Sequence, residues 1–181
     1  DGRIAPDGPV DLIPRGREQG YFVPKTVFSE AQAAAVALIP SGARVLDIGS
    51  ADSLVGKALK KKGCIVTGVD MIPPENLRDS LDFFLKADLD APLPVRYDGF
   101  DAVCLLDVIG HIKAPEIFLE QLHATSTHGF TAPMIVTTGN IGFIANRAQL
   151  LFGYFNYGRR GILSRSHTRL LTRASLKTSS T

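Results

Sequence analysis

Two acidic residues, Asp47 and Asp70, stand near the ends of two short apolar runs, each two residues from a glycine. The run Ala43–Ile48 ends in Gly49, followed by Ser50, Ala51 and Ser53. Such a loop lets a ligand approach the backbone where a strand turns into a helix. Twenty-one residues after Gly49, the run Ile65–Val69 ends in Asp70. An acid in that place can accept hydrogen bonds from both ribose hydroxyls of an adenosine ligand. The pairing is compatible with a nicotinamide cofactor or with S-adenosylmethionine.

Two details separate these ligands. A dinucleotide loop needs Gly-x-Gly-x-x-Gly, because its second glycine lets the pyrophosphate close in; that position is Ala51 here. Asp47, two residues before the glycine, would repel a pyrophosphate. It suits a ligand bearing an ammonium group, and S-adenosylmethionine carries both an ammonium and a sulfonium. The acid favours the methyl donor.

The elements that must position these residues alternate. Ser29 precedes Glu-Ala-Gln-Ala-Ala-Ala-Val-Ala-Leu, a run of helix formers that stops before Pro40. Strands are expected at Ala43–Ile48, Ile65–Val69, Phe83–Ala87, Asp101–Leu106 and Met134–Thr138. Between them, Asp52 or Ser53 can cap a helix with Leu54, Val55, Ala58 and Leu59 on one face, and Pro115 opens another that turns Phe118, Leu119 and Leu122 inward. Ile144, Ala148, Leu151 and Phe155 then recur at helical spacing, reading as a lid or core helix over an acceptor site, with an interfacial membrane helix as the rival. Alternation of this kind predicts a Rossmann-like α/β fold: a doubly wound, mostly parallel sheet with helices on both faces and ligands beyond the carboxyl ends of the strands. Residues 1–28 form a lead-in, 29–140 the ligand-binding core, and 141–181 a basic lid or acceptor segment with a frayed tail.

Composition narrows the class. The chain has 181 residues, 45% hydrophobic and 21% charged, which is enough apolar content to exclude disorder as its main state. Cys64 and Cys104 lie in apolar runs and read as reduced and inert, so a disulfide scaffold is excluded. No apolar run approaches a membrane span, and residues 1–20 are polar, so the expectation is a soluble, cytoplasmic protein with at most peripheral membrane contact. Charge is uneven: residues 121–181 hold Arg147, Arg159, Arg160, Arg165, Arg169, Arg173 and Lys177 and no acid. That third is expected to face something anionic, whether a substrate or a membrane surface. Nucleic acid is disfavoured, because the arginines and aromatics do not interleave on a repeated platform.

With these motifs in place, the sequence resembles the class I S-adenosylmethionine-dependent methyltransferases. The matching stretches are Val45–Ser53, Gly68–Met71, Lys86–Asp90 and Phe100–Ile112, in order and at the family's intervals. A looser match, Gly153–Gly158 with Gly161–Arg169, resembles a bacterial subgroup often attached to glycosyltransferases. The resemblance implies that Asp47 and Gly49, with Ser50 and Ala51, sit beside the methionine part of the donor. It implies Asp70 on the ribose, Met71 on the adenine, and Asp88 with the Leu89 backbone at the adenine edge. Asp107 and the loop to His111 would line the space between sulfonium and acceptor. The sequence departs from the family at Ala51 and Ser53, usually glycines, and at Gly110, usually Glu in the subgroup. Gly139-Asn140 stands for Pro-Asn, Ser164 for an acid, and the chain stops at Thr181, so the sixth and seventh strands are expected to be missing.

Methyl transfer is an in-line displacement, so positioning supplies much of the acceleration. A base is needed where the acceptor keeps its proton near neutral pH. His111 is the candidate; the plainer reading is a loop histidine bonded to backbone. His123 and His128 read as incidental, while Arg165, His167 and Arg169 are candidates for an anionic acceptor. Asp88 and Asp90 could equally be turn formers. No metal site is expected. The reading is methyl transfer to a small or glycan-linked acceptor, at oxygen on the subgroup resemblance, with a non-catalytic S-adenosylmethionine-binding module as the alternative.

Overall fold

The computed structural model describes residues 29–50, 54–74, 76–93, 95–96, 98–124, 132–154, 167–172 and 174–175. The expected lead-in, the capping residues Asp52 and Ser53, and the tail beyond Ser175 lie outside the described residues. Helix α1 (Glu30–Leu38) opens with a capping box: Ser29 Oγ accepts from the Gln32 backbone N–H, and Gln32 Oε1 accepts from that of Ser29. Strands β1 (Arg44–Ile48), β2 (Ile65–Asp70), β3 (Phe83–Lys86), β4 (Ala102–Leu106) and β5 (Met134–Thr137) each fall within one residue of the expected bounds. Helices α2 (Leu54–Lys61), α3 (Leu77–Ser80), α4 (Pro115–Ala124) and α5 (Ile144–Leu151) complete the order.

The five strands form one parallel sheet in the order β3-β2-β1-β4-β5. Every residue of β4 is buried, and all of β1 beyond Arg44, as central strands covered on both faces require. Alternate residues feed two cores. Val45, Val66 and Cys104 pack with Ala35, Val36, Val55 and Leu59 of α1 and α2. Leu46, Ile48, Val69 and Leu105 pack with Phe118 and Leu122 of α4. Helices therefore cover both faces, and the doubly wound arrangement holds. The connection from β3 to β4 carries the chain across β2 and β1 to the other side of the sheet. That reversal leaves a crevice at the carboxyl ends of β1 and β4.

Two elements differ from expectation. Helix α3 was not anticipated; it is a single turn in which Ser80 Oγ donates back to the carbonyls of Asn76 and Leu77. Its close approach to α2 depends on Gly56, where a Cβ would collide with the Ser80 carbonyl. Helix α5 forms where the periodicity placed it, but none of its residues is buried, so it is not a core helix.

Candidate active site at the carboxyl edge of the sheet

The exit from β1 is a tight turn. Gly49 adopts φ +80°, and its N–H donates to the Val69 carbonyl at 2.7 Å. A Cβ here would run into the Val108 side chain, so the β1 and β4 exits touch at this point. Asp47 is buried two residues before the turn glycine, level with Gly68 of β2 and Cys104 of β4. Ser50 is buried too, and its hydroxyl has no hydrogen-bond partner among the described residues. A Cβ on Gly68 would stand 2.5 Å from that oxygen, so the second glycine leaves room for the serine. Ala51 lies outside the described residues.

At the β2 exit, Asp70 Oδ1 accepts from the Ile72 N–H at 3.1 Å, which holds the carboxylate in a short turn, and Met71 is exposed. At the β3 exit, Asp88 Oδ1 accepts from the Asp90 N–H at 2.9 Å, the turn-forming role open to it in the sequence. Asp90 reaches across to the lead-in of α4. Its Oδ1 accepts from the Lys113 N–H at 2.9 Å, and its Oδ2 pairs with Lys113 Nζ at 3.1 Å. Partial burial alone would raise the Asp90 carboxyl, but these Lys113 contacts outweigh it and hold the group below the ordinary carboxylate range. Leu89 and Asp90 line a groove with Ile112, Ala114, Ile117 and Phe118.

The β4 exit carries the main strain. Asp107 is the one non-glycine residue with positive φ among those described, at +62°. Thr137 at the end of β5 pins it. The Asp107 N–H donates to the Thr137 carbonyl and to its Oγ1, both at 3.0 Å, and that hydroxyl donates to Asp107 Oδ1 at 3.2 Å. A 3₁₀ turn, Ile109–His111, follows and leaves His111 exposed. Residues 167–172 strap across this turn. The Thr168 N–H donates to the Gly110 carbonyl at 2.9 Å, and Thr168 Oγ1 donates to the Ile112 carbonyl at 2.8 Å. Leu171 bridges Asn140, beyond the end of β5, in the parallel sense. The His111 and His167 rings lie 4.6 Å apart between centroids, tilted by 50°. His167 occupies the space beside Gly110, where a Cβ would stand 3.3 Å from its Cδ2.

The structure thus gathers Asp47, Gly49, Ser50, Asp70, Asp107 and His111 along one edge, with His167 against His111. Arg169 sits beside the same turn, its Nε donating to the Lys113 carbonyl at 3.3 Å. Arg165 and His128 lie outside the described residues, and His123 is exposed at the end of α4. Thr137, Thr168 and Val108 shape the edge and were not picked out in the sequence. A threonine ending a strand was the only signal for Thr137, and the tie made by Thr168 spans 58 residues to Gly110. Cys104 is chemically quiet: burial, then the charge of Asp47, pushes its thiol far above the ordinary range.

A parallel doubly wound sheet with a buried acid before a glycine turn, and a second acid closing the next strand, defines the class I methyltransferase type of nucleoside-binding fold. Residues 21–173 match the family model for a methyltransferase domain, and the chain belongs to that family, whose cofactor is S-adenosylmethionine. The chain is 31% identical over 91 residues to the ubiquinone biosynthesis O-methyltransferase of Xylella fastidiosa (strain M23), across 44% of this chain and 36% of that protein. It therefore spans about a third of the length of that curated relative. A SAM-dependent methyltransferase structure from Thermotoga maritima superposes with a TM-score of 0.61 at 18% identity, covering 91% of this chain and 74% of the other. Magnesium protoporphyrin IX methyltransferase from Synechocystis PCC 6803, solved with bound SAH, gives 0.57 at 15% identity, covering 90% and 80%. At these identities the two structures establish the fold.

The donor set fits the cofactor. A buried carboxylate at Asp47 would suit an ammonium, Asp70 would suit a ribose diol, and the Ser50 hydroxyl, unpartnered among the described residues, lies at the turn between them. No helix among the described residues is long and apolar enough to cross a membrane.

Proposed function

We propose that this chain transfers a methyl group from S-adenosylmethionine to a hydroxyl oxygen of a small or glycan-linked acceptor. The observation that carries the reading is the edge formed by the adjoining β2, β1 and β4, which ends in Asp70, the Gly49 turn and the left-handed Asp107. Asp47, Gly49, Ser50 and Ala51 hold the methionine end of the donor, Asp70 the ribose, and Met71, Asp88 and Leu89 the adenine. The bound cofactor supplies an electrophilic methyl on a sulfonium. Asp107, fixed by Thr137, lines the path to the acceptor, and His111 accepts the acceptor's proton as the new bond forms. Arg165, His167 and Arg169 meet the anionic part of the acceptor.

His111→Gln tests this, because glutamine keeps hydrogen bonding but takes no proton. The full chain is incubated with methyl-labelled donor and a panel of hydroxylated small molecules and glycans. The variant binds S-adenosylhomocysteine normally and turns over roughly 10²–10⁴-fold more slowly. The wild-type rate falls as pH drops and the imidazole becomes protonated. Normal turnover by the variant returns His111 to a structural role. A wild-type chain that binds the donor product and methylates nothing on the panel supports the non-catalytic module instead.

A further inference from the structure

Segment 167–172 delivers a second imidazole to the candidate base. It is tied at both ends by groups other than the His167 side chain. At one end the Thr168 and Arg169 N–H groups donate to the Gly110 carbonyl at 2.9 and 3.2 Å, and Thr168 Oγ1 donates to the Ile112 carbonyl. At the other end the Ile141 N–H donates to the Leu171 carbonyl at 3.0 Å. These ties seat the half-buried His167 in the space that Gly110, lacking a Cβ, leaves open. Its ring meets that of His111 at 4.6 Å between centroids, tilted by 50°, within the roughly 4.5–7 Å at which tilted aromatic rings attract.

His111 has a use for such a contact. It is exposed and ends a three-residue 3₁₀ turn, and an exposed side chain divides its time among rotamers unless packing selects one. A base is effective when its ring is already aimed at the proton it takes. We propose that His167 is a positioning residue: the strap lays its ring against His111 and holds that imidazole in one orientation. On the methyl-transfer reading, on which this rests, His111 takes the acceptor's proton, and His167 acts through it. The role needs a ring and no charge, so it is separate from any contact His167 makes with an anionic acceptor.

Nuclear magnetic resonance of the full chain, carrying isotope-labelled histidine, tests this without an acceptor. His111→Gln identifies the His111 signals among the four histidines. In the wild type the His111 and His167 ring protons show cross-relaxation, and the two Hα–Hβ couplings of His111 differ, as a single rotamer requires. His167→Ala averages those couplings, whereas His167→Phe, which supplies an uncharged ring, keeps them apart. Both variants keep the strap ties and the wild-type circular dichroism spectrum. Absent cross-relaxation, couplings already averaged in the wild type, or couplings unchanged in His167→Ala overturn the proposal. So does averaging in His167→Phe as complete as in His167→Ala. With a hydroxylated acceptor that the wild type methylates, kcat falls about tenfold or more in His167→Ala, and His167→Phe recovers most of that loss. The acceptor KM reports separately on any charge contact. Normal turnover by His111→Gln defeats the reading of His111 as the base, a failure distinct from averaged couplings in the wild type, which defeat the positioning alone.

Discussion

At the scale of single residues, the site edge rests on two backbone conformations that ordinary side chains avoid. Asp107 at φ +62° carries strain on the order of 1–3 kcal/mol. The three hydrogen bonds exchanged with Thr137 offset it and fix where the carboxylate points. Gly49 has no side chain to strain, and its φ of +80° lets the β1 turn close against Val108. Gly49→Ala therefore meets two penalties, a left-handed backbone and a methyl driven into Val108. Together these destabilise the fold by roughly 2–4 kcal/mol, measured as a lower midpoint in urea denaturation. An unchanged midpoint would mean that the two turns do not meet as described.

Among the elements, the segment 167–172 straps the 3₁₀ turn after β4, and it depends on Gly110. Gly110→Glu places a side chain where His167 now lies. The strap's ties to Gly110 and Ile112 should then loosen, and trypsin should cut after Arg169 about tenfold faster. A cleavage rate equal to wild type would show that His167 is not held by that space. This coupling was not legible in the sequence, because residue 110 and residue 167 meet only through the tertiary fold. The strands were legible, since each apolar run ends at a glycine, an acid or a threonine that marks the turn. So were Asp47 and Asp70, whose spacing follows from one βαβ unit. The handedness at Asp107 was not, because nothing local distinguishes it from an extended aspartate. Helix α3 was missed because its single turn is held by a neighbouring glycine rather than by its own pattern. For α5, periodicity showed which residues share a face but not whether anything covers that face.

For the molecule as a whole, one sheet organises both ends of the chemistry. On the proposed reading, β2 and β3 carry the adenosine side, β1 the methionine side, and β4 and β5 with the strap the acceptor side. Charge is divided along the chain, with every acid before residue 121 and only basic charged residues beyond it. We propose that the edge holds S-adenosylmethionine with Asp70 on its ribose. Isothermal calorimetry of the full chain with S-adenosylhomocysteine and with NAD tests it most directly, repeated on Asp70→Ala. Hydrogen bonds from two hydroxyls to one ionised carboxylate contribute roughly 1.5–3 kcal/mol each. The product should therefore bind, NAD should not, and the variant should lose at least about tenfold in affinity while keeping its melting temperature. Binding of NAD in place of the product, or an Asp70→Ala protein with unchanged affinity, would contradict the account.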